Sequence, residues 1–149
     1  MKQKDKFRYA EKCLYEYKRN LAALNVLKED LHVIEIGTDV HAQNYQLSLN
    51  FTGTPSNPVQ ARLLKIETIK ERIQQLERFT TPITSLINDL DIPENLNGSE
   101  NQLLLEILKL LYFGKNTIDA VLEELRIAKR TFTRKRRKLI FMVIDYLAF

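Results

Sequence analysis

The fold of this chain is decided by residues 116–138, which read Asn-Thr-Ile-Asp-Ala-Val-Leu-Glu-Glu-Leu-Arg-Ile-Ala-Lys-Arg-Thr-Phe-Thr-Arg-Lys-Arg-Arg-Lys. Eight of the thirteen residues from 126 to 138 are Lys or Arg, and no Asp or Glu lies between Glu124 and Asp145. The residues before them, 116–125, have the apolar spacing of a short helix. Two short helices joined by a tight turn, the second one basic, are typical of a helix-turn-helix whose second helix enters the major groove of DNA.

The charge of the chain is distributed unevenly along its length. The 149 residues carry a formal net charge of only +4. Residues 1–125 hold 15 basic and 18 acidic side chains, net −3, whereas residues 126–149 hold 8 basic and 1 acidic, net +7. Such an asymmetry favours a polyanionic partner at the C-terminal end. A solvated charge run is the alternative, and the helix-turn-helix context favours double-stranded DNA over it.

Several classes of protein are disfavoured by what the sequence lacks. Cys13 is the only cysteine, so no internal disulfide can form and a reducing cytoplasm is the expected setting. The charged N-terminus lacks the apolar core of a signal peptide, and the longest apolar run, 139–144, is too short to span a membrane. His32 and His41 form no zinc spacing, and the four glycines are scattered. We therefore expect no enzyme, no metal and no cofactor.

Two long amphipathic helices are predicted before the basic region. In the first, from about Phe7 to Leu31, apolar residues recur at alternating steps of three and four. The second begins at Asn57-Pro58-Val59-Gln60, a good helix start, and Pro82 is expected to break or kink it, leaving a separate short helix at 83–90. The residues of these apolar stripes are Phe7, Ala10, Leu14, Tyr17, Leu21, Leu24 and Leu31 in the first helix, and Val59, Leu63, Ile66, Ile69 or Lys70, Ile73 and Leu76 in the second.

The predicted fold is all-α. An N-terminal antiparallel pair of long, coiled-coil-like helices occupies residues 1–90 and contains a mobile loop at 35–57. A linker rich in Pro, Gly and Asn follows at 91–98, and a three-helix helix-turn-helix module occupies 99–149. Either the two stripes form one intramolecular core, or the small core of a hairpin favours a homo-oligomer, with a dimer preferred.

The C-terminal module has its own helix signals. Ser99 can cap a first helix that Gly114 ends, and either Asn116 or Thr117 can cap the second. The third helix is predicted to begin near Ala128. Its last part, 139–149, is apolar on nearly every face, so we expect it to be buried, either on the helix at 103–111 or in a dimer interface.

Residues 96–139 resemble region 4 of the sigma-70-type factors. The central stretch of that family looks like Ile-Ala-x-x-Leu-Gly-Ile-Ser-x-x-Thr-Val, and here residues 121–132 read Val-Leu-Glu-Glu-Leu-Arg-Ile-Ala-Lys-Arg-Thr-Phe. Three residues depart from the pattern: Leu122 replaces a small residue, Arg126 a turn glycine, and Ala128 a Ser cap. Arg126 therefore occupies a position that favours positive φ, and Ala128 lacks a cap worth about 1 kcal/mol. The matching positions are Leu125, Ile127, Thr131 and Phe132.

Taken whole, the chain resembles the RinA/ArpU-type late transcription regulators encoded by phages of low-GC Gram-positive bacteria. The further points of resemblance are Phe-Arg-Tyr-Ala-Glu-Lys-Cys-Leu-Tyr-Glu-Tyr-Lys at 7–18, the second amphipathic helix and the sigma-like module. The resemblance implies a sequence-specific DNA-binding transcriptional regulator, typically an activator of phage late genes. Two alternatives remain open, a small terminase-like DNA-packaging subunit and an adaptor that binds bacterial RNA polymerase.

The helical period assigns roles along the last helix. Phe132 and Leu139 should point to the module core. Arg130 and Arg134 are the expected base readers, because a guanidinium matches the paired acceptors of guanine. The remaining candidates are Lys129 and Thr133 as readers or phosphate contacts, and Lys135, Arg136, Arg137 and Lys138 as phosphate contacts.

Overall fold

The computed structural model describes residues 1–36, 58–92 and 98–148 of the chain. Within those ranges the protein is all-helical, which confirms the predicted fold class. The predicted loop at 35–57 and linker at 91–98 fall largely outside the described residues. The elements are α1 (Gln3–Ile36), α2 (Pro58–Leu90), α3 (Gly98–Ile107) continued by a π-helical segment (Leu108–Phe113), α4 (Ile118–Leu125) and α5 (Lys129–Leu147).

The chain forms two compact units that are not consecutive in sequence. One unit combines Met1–Asn20 with Arg78–Phe149, and the other is Leu21–Glu77. Both long helices contribute one end to each unit. A division at residues 91–98 would therefore cut through the first unit, because the start of α1 packs with the C-terminal helices.

The unit Leu21–Glu77 is an antiparallel helix pair. Lys28 Nζ lies 3.4 Å from Glu77 Oε1, and Lys70 Nζ lies 3.5 Å from Glu35 Oε1. The later residue of α1 in these two pairs contacts the earlier residue of α2, so the two helices run in opposite directions. Exposed ion pairs of this kind contribute little, and the apolar seam is the main source of stability. The seam contains buried Leu24, Ile69, Ile73 and Leu76, flanked by Leu27, Leu31 and Ile34.

The prediction that a separate short helix follows Pro82 is wrong. α2 continues through Pro82 to Leu90 as one helix. Proline has no N–H for the carbonyl of Arg78 and costs about 3 kcal/mol inside a helix. The turns after it bury Ile83, Leu86 and Leu90 in the first unit. Because burying each of these side chains contributes about 1.5–3 kcal/mol, packing outweighs the cost of the proline.

The π-helical segment joins the start of α1 to the C-terminal helices. Gly114 N donates to Lys109 O at 2.8 Å, a bond that spans five residues. Tyr112 is fully buried, and its ring lies 4.8 Å from that of Tyr15 in an edge-on contact. Two further aromatic rings, Tyr17 and Phe113, stack at 5.1 Å. The sequence pattern had predicted a regular helix here.

Gly114 ends this helix for a different reason from the predicted one. Its φ is −80°, and Lys115 takes the left-handed conformation at φ 54°. A Cβ on Gly114 would lie 2.9 Å from the carbonyl oxygen of Leu110, so space and not φ excludes a side chain. Asn116 Nδ2 donates to the same oxygen at 3.0 Å. Thr117 is the cap of α4, since its Oγ1 accepts a backbone hydrogen bond at 3.2 Å.

Candidate nucleic-acid interface

The turn between α4 and α5 has the geometry that the sequence pattern indicated. Arg126 lies at φ 54° and ψ 45°, the left-handed conformation, and its N–H bonds to Leu122 O. Ala128 begins α5 in an extended conformation without a side-chain cap. Two of the three departures from the sigma-type pattern, Arg126 and Ala128, are therefore accommodated, at the cost of a strained arginine and an uncapped helix start.

One face of α5 is buried in the first unit. Phe132 and Leu139 are both fully buried, which confirms their predicted orientation, and Ile140 and Val143 extend the same face. The apolar end of α5 is buried within the chain, since Leu139, Ile140 and Val143 are fully buried, and α5 as a whole contacts α3. The same end of α5 also contacts the start of α1. There the rings of Phe7 and Phe141 meet at 6.2 Å.

The opposite face of α5 is exposed and basic. Within the described part of the chain no carboxylate forms an ion pair with Lys129, Arg130 or Arg134. Arg137 lies with its guanidinium carbon 5.7 Å from the ring centroid of Phe141. Thr133 Oγ1 donates to Lys129 O at 2.9 Å, which leaves the hydroxyl oxygen able to accept. The residues of this surface, the exposed basic face, are Lys129, Arg130, Thr133, Arg134 and Arg137.

Arg136, which was predicted to contact phosphate, is paired within the protein. Its Nη2 forms an ion pair with Glu11 Oε1, and its Nε lies 3.1 Å from both that oxygen and Tyr112 Oη. Tyr112 Oη donates to Glu11 Oε1 at 2.9 Å. Burial raises the pKa of Tyr112 above its usual value, so the hydroxyl remains a donor. We call Glu11, Tyr112 and Arg136 the anchor.

Lys135 and Lys138 share a second carboxylate. Their Nζ atoms lie 2.8 Å and 2.6 Å from Glu100 Oε1 on α3. Hydrogen bonds from Lys135 and then Lys138 lower the pKa of Glu100 to about 2. Both lysines were expected to bind phosphate, yet both are paired within the protein. Only Lys138 keeps about half of its side chain exposed.

The partners of these cations were not predicted from the sequence. Arg136 is four residues after Phe132 and three before Leu139, so the helical period alone could have placed it on the buried face. No local signal could have found Glu11, which is 125 residues away from Arg136 along the chain. Tyr112 and Glu100 likewise became relevant only through tertiary contacts.

Two further kinds of site were considered in the described ranges, a metal-ion site and a membrane-spanning helix. Among these residues, no group of three or more His, Cys, Asp and Glu side chains is placed to hold a metal ion. No helix in the described ranges is long and apolar enough to cross a membrane. Cys13 is a buried free thiol, and burial raises its pKa to about 11.

Comparison with protein-family models, with curated proteins and with solved structures finds no match to this chain. The functional conclusion therefore depends on the geometry of α4 and α5 and on the distribution of charge around them. That geometry combines a three-residue turn, a buried apolar face and a separate exposed basic face on one helix.

Proposed function

We propose that this protein is a sequence-specific DNA-binding transcriptional regulator, acting in the cytoplasm of a bacterial host cell as an activator of phage late genes. The exposed basic face of α5, on the second helix of a helix-turn-helix, is the observation that supports DNA binding. The phage context and the activating role are supported by the resemblance to RinA/ArpU-type regulators. RNA polymerase is a second partner that the sigma-like module is suited to contact.

The positions of the arginines suggest how sequence is read. Arg130 and Arg134 lie one turn apart in the first half of α5, the part of a recognition helix that enters the major groove. Each guanidinium can donate to O6 and N7 of one guanine, and such a pair is worth about 1–3 kcal/mol of discrimination. Lys129 and Thr133 flank them, and Arg137, a turn further, is suited to phosphate.

Selection of bound duplexes from a random pool tests this function, followed by titration of the selected and a scrambled duplex. We expect the selected duplex to bind at least about a thousandfold more tightly. The matched control is Arg72→Ala, which removes an exposed arginine of α2 and should leave both affinities unchanged. No DNA binding by the intact protein would favour the polymerase adaptor. A large ring by mass would favour a terminase-like subunit.

We also propose that the protein forms a homo-oligomer, with a dimer favoured, through apolar residues that the helix pair leaves exposed. The stripe residues Leu24, Ile69 and Ile73 are buried within the chain, whereas the stripe residue Leu63 is exposed. Leu63 and Leu64 are 59% and 53% exposed. The double variant Leu63→Glu, Leu64→Glu should keep its helical content and show a lower mass by light scattering. An unchanged mass would contradict this interface.

A further inference from the structure

An open groove of about 550 Å³ lies between the first turns of α1 and the exposed basic face of α5. Two aromatic rings line it, those of Phe7 and Phe141, which meet at 6.2 Å and an angle of 73°. Three cations also line it, Lys4 and Arg8 of α1 and Arg137 of α5. All of these residues belong to the first compact unit.

The positive charge of this groove is not balanced within the protein. Glu11 is the one carboxylate among the lining residues, and its Oε1 accepts from Arg136 and Tyr112. In the described ranges no carboxylate lies within ion-pair distance of Lys4, Arg8 or Arg137. Three cations around one groove repel each other, so an anion that binds there relieves that repulsion.

The groove is continuous with the exposed basic face. Arg130, Arg134 and Arg137 follow one another at steps of four and three, so Arg137 shares their side of α5 while also lining the groove. Lys4 and Arg8, one turn apart on α1, therefore continue the same basic surface beyond the recognition helix. Cations that flank a recognition helix meet the sugar-phosphate backbone and carry no sequence information.

We propose that Lys4 and Arg8 form a second DNA-contacting element, in which the start of α1 binds phosphates beside the groove that α5 enters. The inference rests on the proposed function and deepens it, because it adds residues more than a hundred positions from the helix-turn-helix to the same interface. The occupant is the phosphate backbone of duplex DNA, which charge complementarity favours.

The test compares the intact protein with the double variant Lys4→Ala, Arg8→Ala on the selected and scrambled duplexes at several salt concentrations. Both residues are exposed, so the fold should be retained. With each phosphate contact contributing about 0.9 to the salt slope, the loss of two should lower it by about 1.8. Affinity should fall by the same factor on both duplexes, and the nuclease footprint should shorten on one side.

Two controls make the result specific. The double variant Arg72→Ala, Arg78→Ala removes the same charge from exposed positions of α2 and should leave the salt slope unchanged. The variant Lys4→Arg, Arg8→Lys should bind DNA with the affinity of the intact protein, because a phosphate contact can be made by either cation. The two parallel hydrogen bonds from one guanidinium to a base cannot be replaced in this way.

The outcomes separate this inference from the proposed function. If the intact protein binds DNA and the Lys4/Arg8 double variant binds it with the same salt slope, the second element is overturned and the recognition helix stands. If the intact protein binds no DNA, the proposed function itself fails. If the double variant loses binding to phosphatidylserine-rich vesicles but keeps DNA binding, the surface is a membrane contact and the inference is likewise overturned.

Discussion

The two sides of α5 contain the same kinds of residue and differ in what surrounds them. On one side, Arg130 and Arg134 extend from the first turns without an ion pair among the described residues. On the other, Arg136 bonds to Glu11 and Tyr112 in a contact that leaves 27% of its side chain exposed. The comparison teaches that a basic run overstates the charge a protein can offer to a ligand, because part of it is neutralised internally.

The difference is physically reasonable for a helix that packs on one side and is proposed to bind DNA on the other. An arginine that fixes α5 to α1 orients the exposed face, because a guanidinium with several partners restrains rotation of the helix. The exposed cations can then meet an anion without first breaking an internal pair. Lys135 and Lys138 add a similar restraint towards α3 through Glu100.

The largest expected effect is on stability, at the anchor. Arg136→Ala leaves the partly buried Glu11 carboxylate without its cation, and we expect a loss of about 2–4 kcal/mol in the free energy of unfolding, measured with urea. Arg134→Ala, on the exposed side, should change it by less than about 0.5 kcal/mol. The double variant Glu11→Ala, Arg136→Ala should lose less stability than the sum of the losses in the two single variants. A loss equal to that sum would show that Glu11 and Arg136 are not coupled, and would contradict the anchor.

The next effect is on DNA binding, and it should show the reverse pattern. Arg130→Ala or Arg134→Ala should weaken binding to the selected duplex by about 1–3 kcal/mol and relax preference at one base pair. Binding to a scrambled duplex should change less, because no base contact is lost there. Titration of both duplexes gives the answer. Equal losses on the two would show that the exposed basic face binds phosphate without reading sequence.

Arg126 belongs to neither side of α5 and gives a smaller effect. It occupies the left-handed conformation at φ 54°, which costs an L residue about 1–2 kcal/mol and a glycine almost nothing. Because glycine also increases the entropy of the unfolded chain, Arg126→Gly should stabilise the protein by a net amount of about 0.5–1 kcal/mol. Thermal unfolding measures this gain, and Arg126→Ala serves as the control that keeps the strain. A loss of stability in the glycine variant would contradict the described turn.

The smallest effect concerns pH. The pKa of Glu100 is lowered from an ordinary 4.5 to about 2 by Lys135 and Lys138, so the folded state favours the charged carboxylate. Its contribution to stability is present above pH 4.5 and is lost as the pH falls from there towards 2. In Glu100→Gln the free energy of unfolding should therefore depend less on pH between 4.5 and 2. Between pH 5 and 7 its pH dependence should change little. Urea titrations at several pH values test this, and an unaltered acid slope would exclude the paired carboxylate.

How much could be predicted depended on the range of the interaction involved. The all-α fold, the turn at Arg126, the uncapped start at Ala128 and the buried Phe132 and Leu139 follow from patterns of a few residues. The end of α2 was mispredicted because the penalty at Pro82 is local, whereas the burial of the turns after it is not. The π-helical segment has no sequence signature of its own and was missed for that reason.

The sequence by itself determined that the protein is all-α and which side of α5 carries Phe132, since helix period and turn geometry are set by neighbours along the chain. Only the tertiary structure decided which cations remain available. The partners of Arg136 and Lys135 are 125 and 35 residues away, and burial beside a carboxylate is what neutralises them. The same packing brings the start of α1 beside Arg137, and so determines how far the basic surface extends.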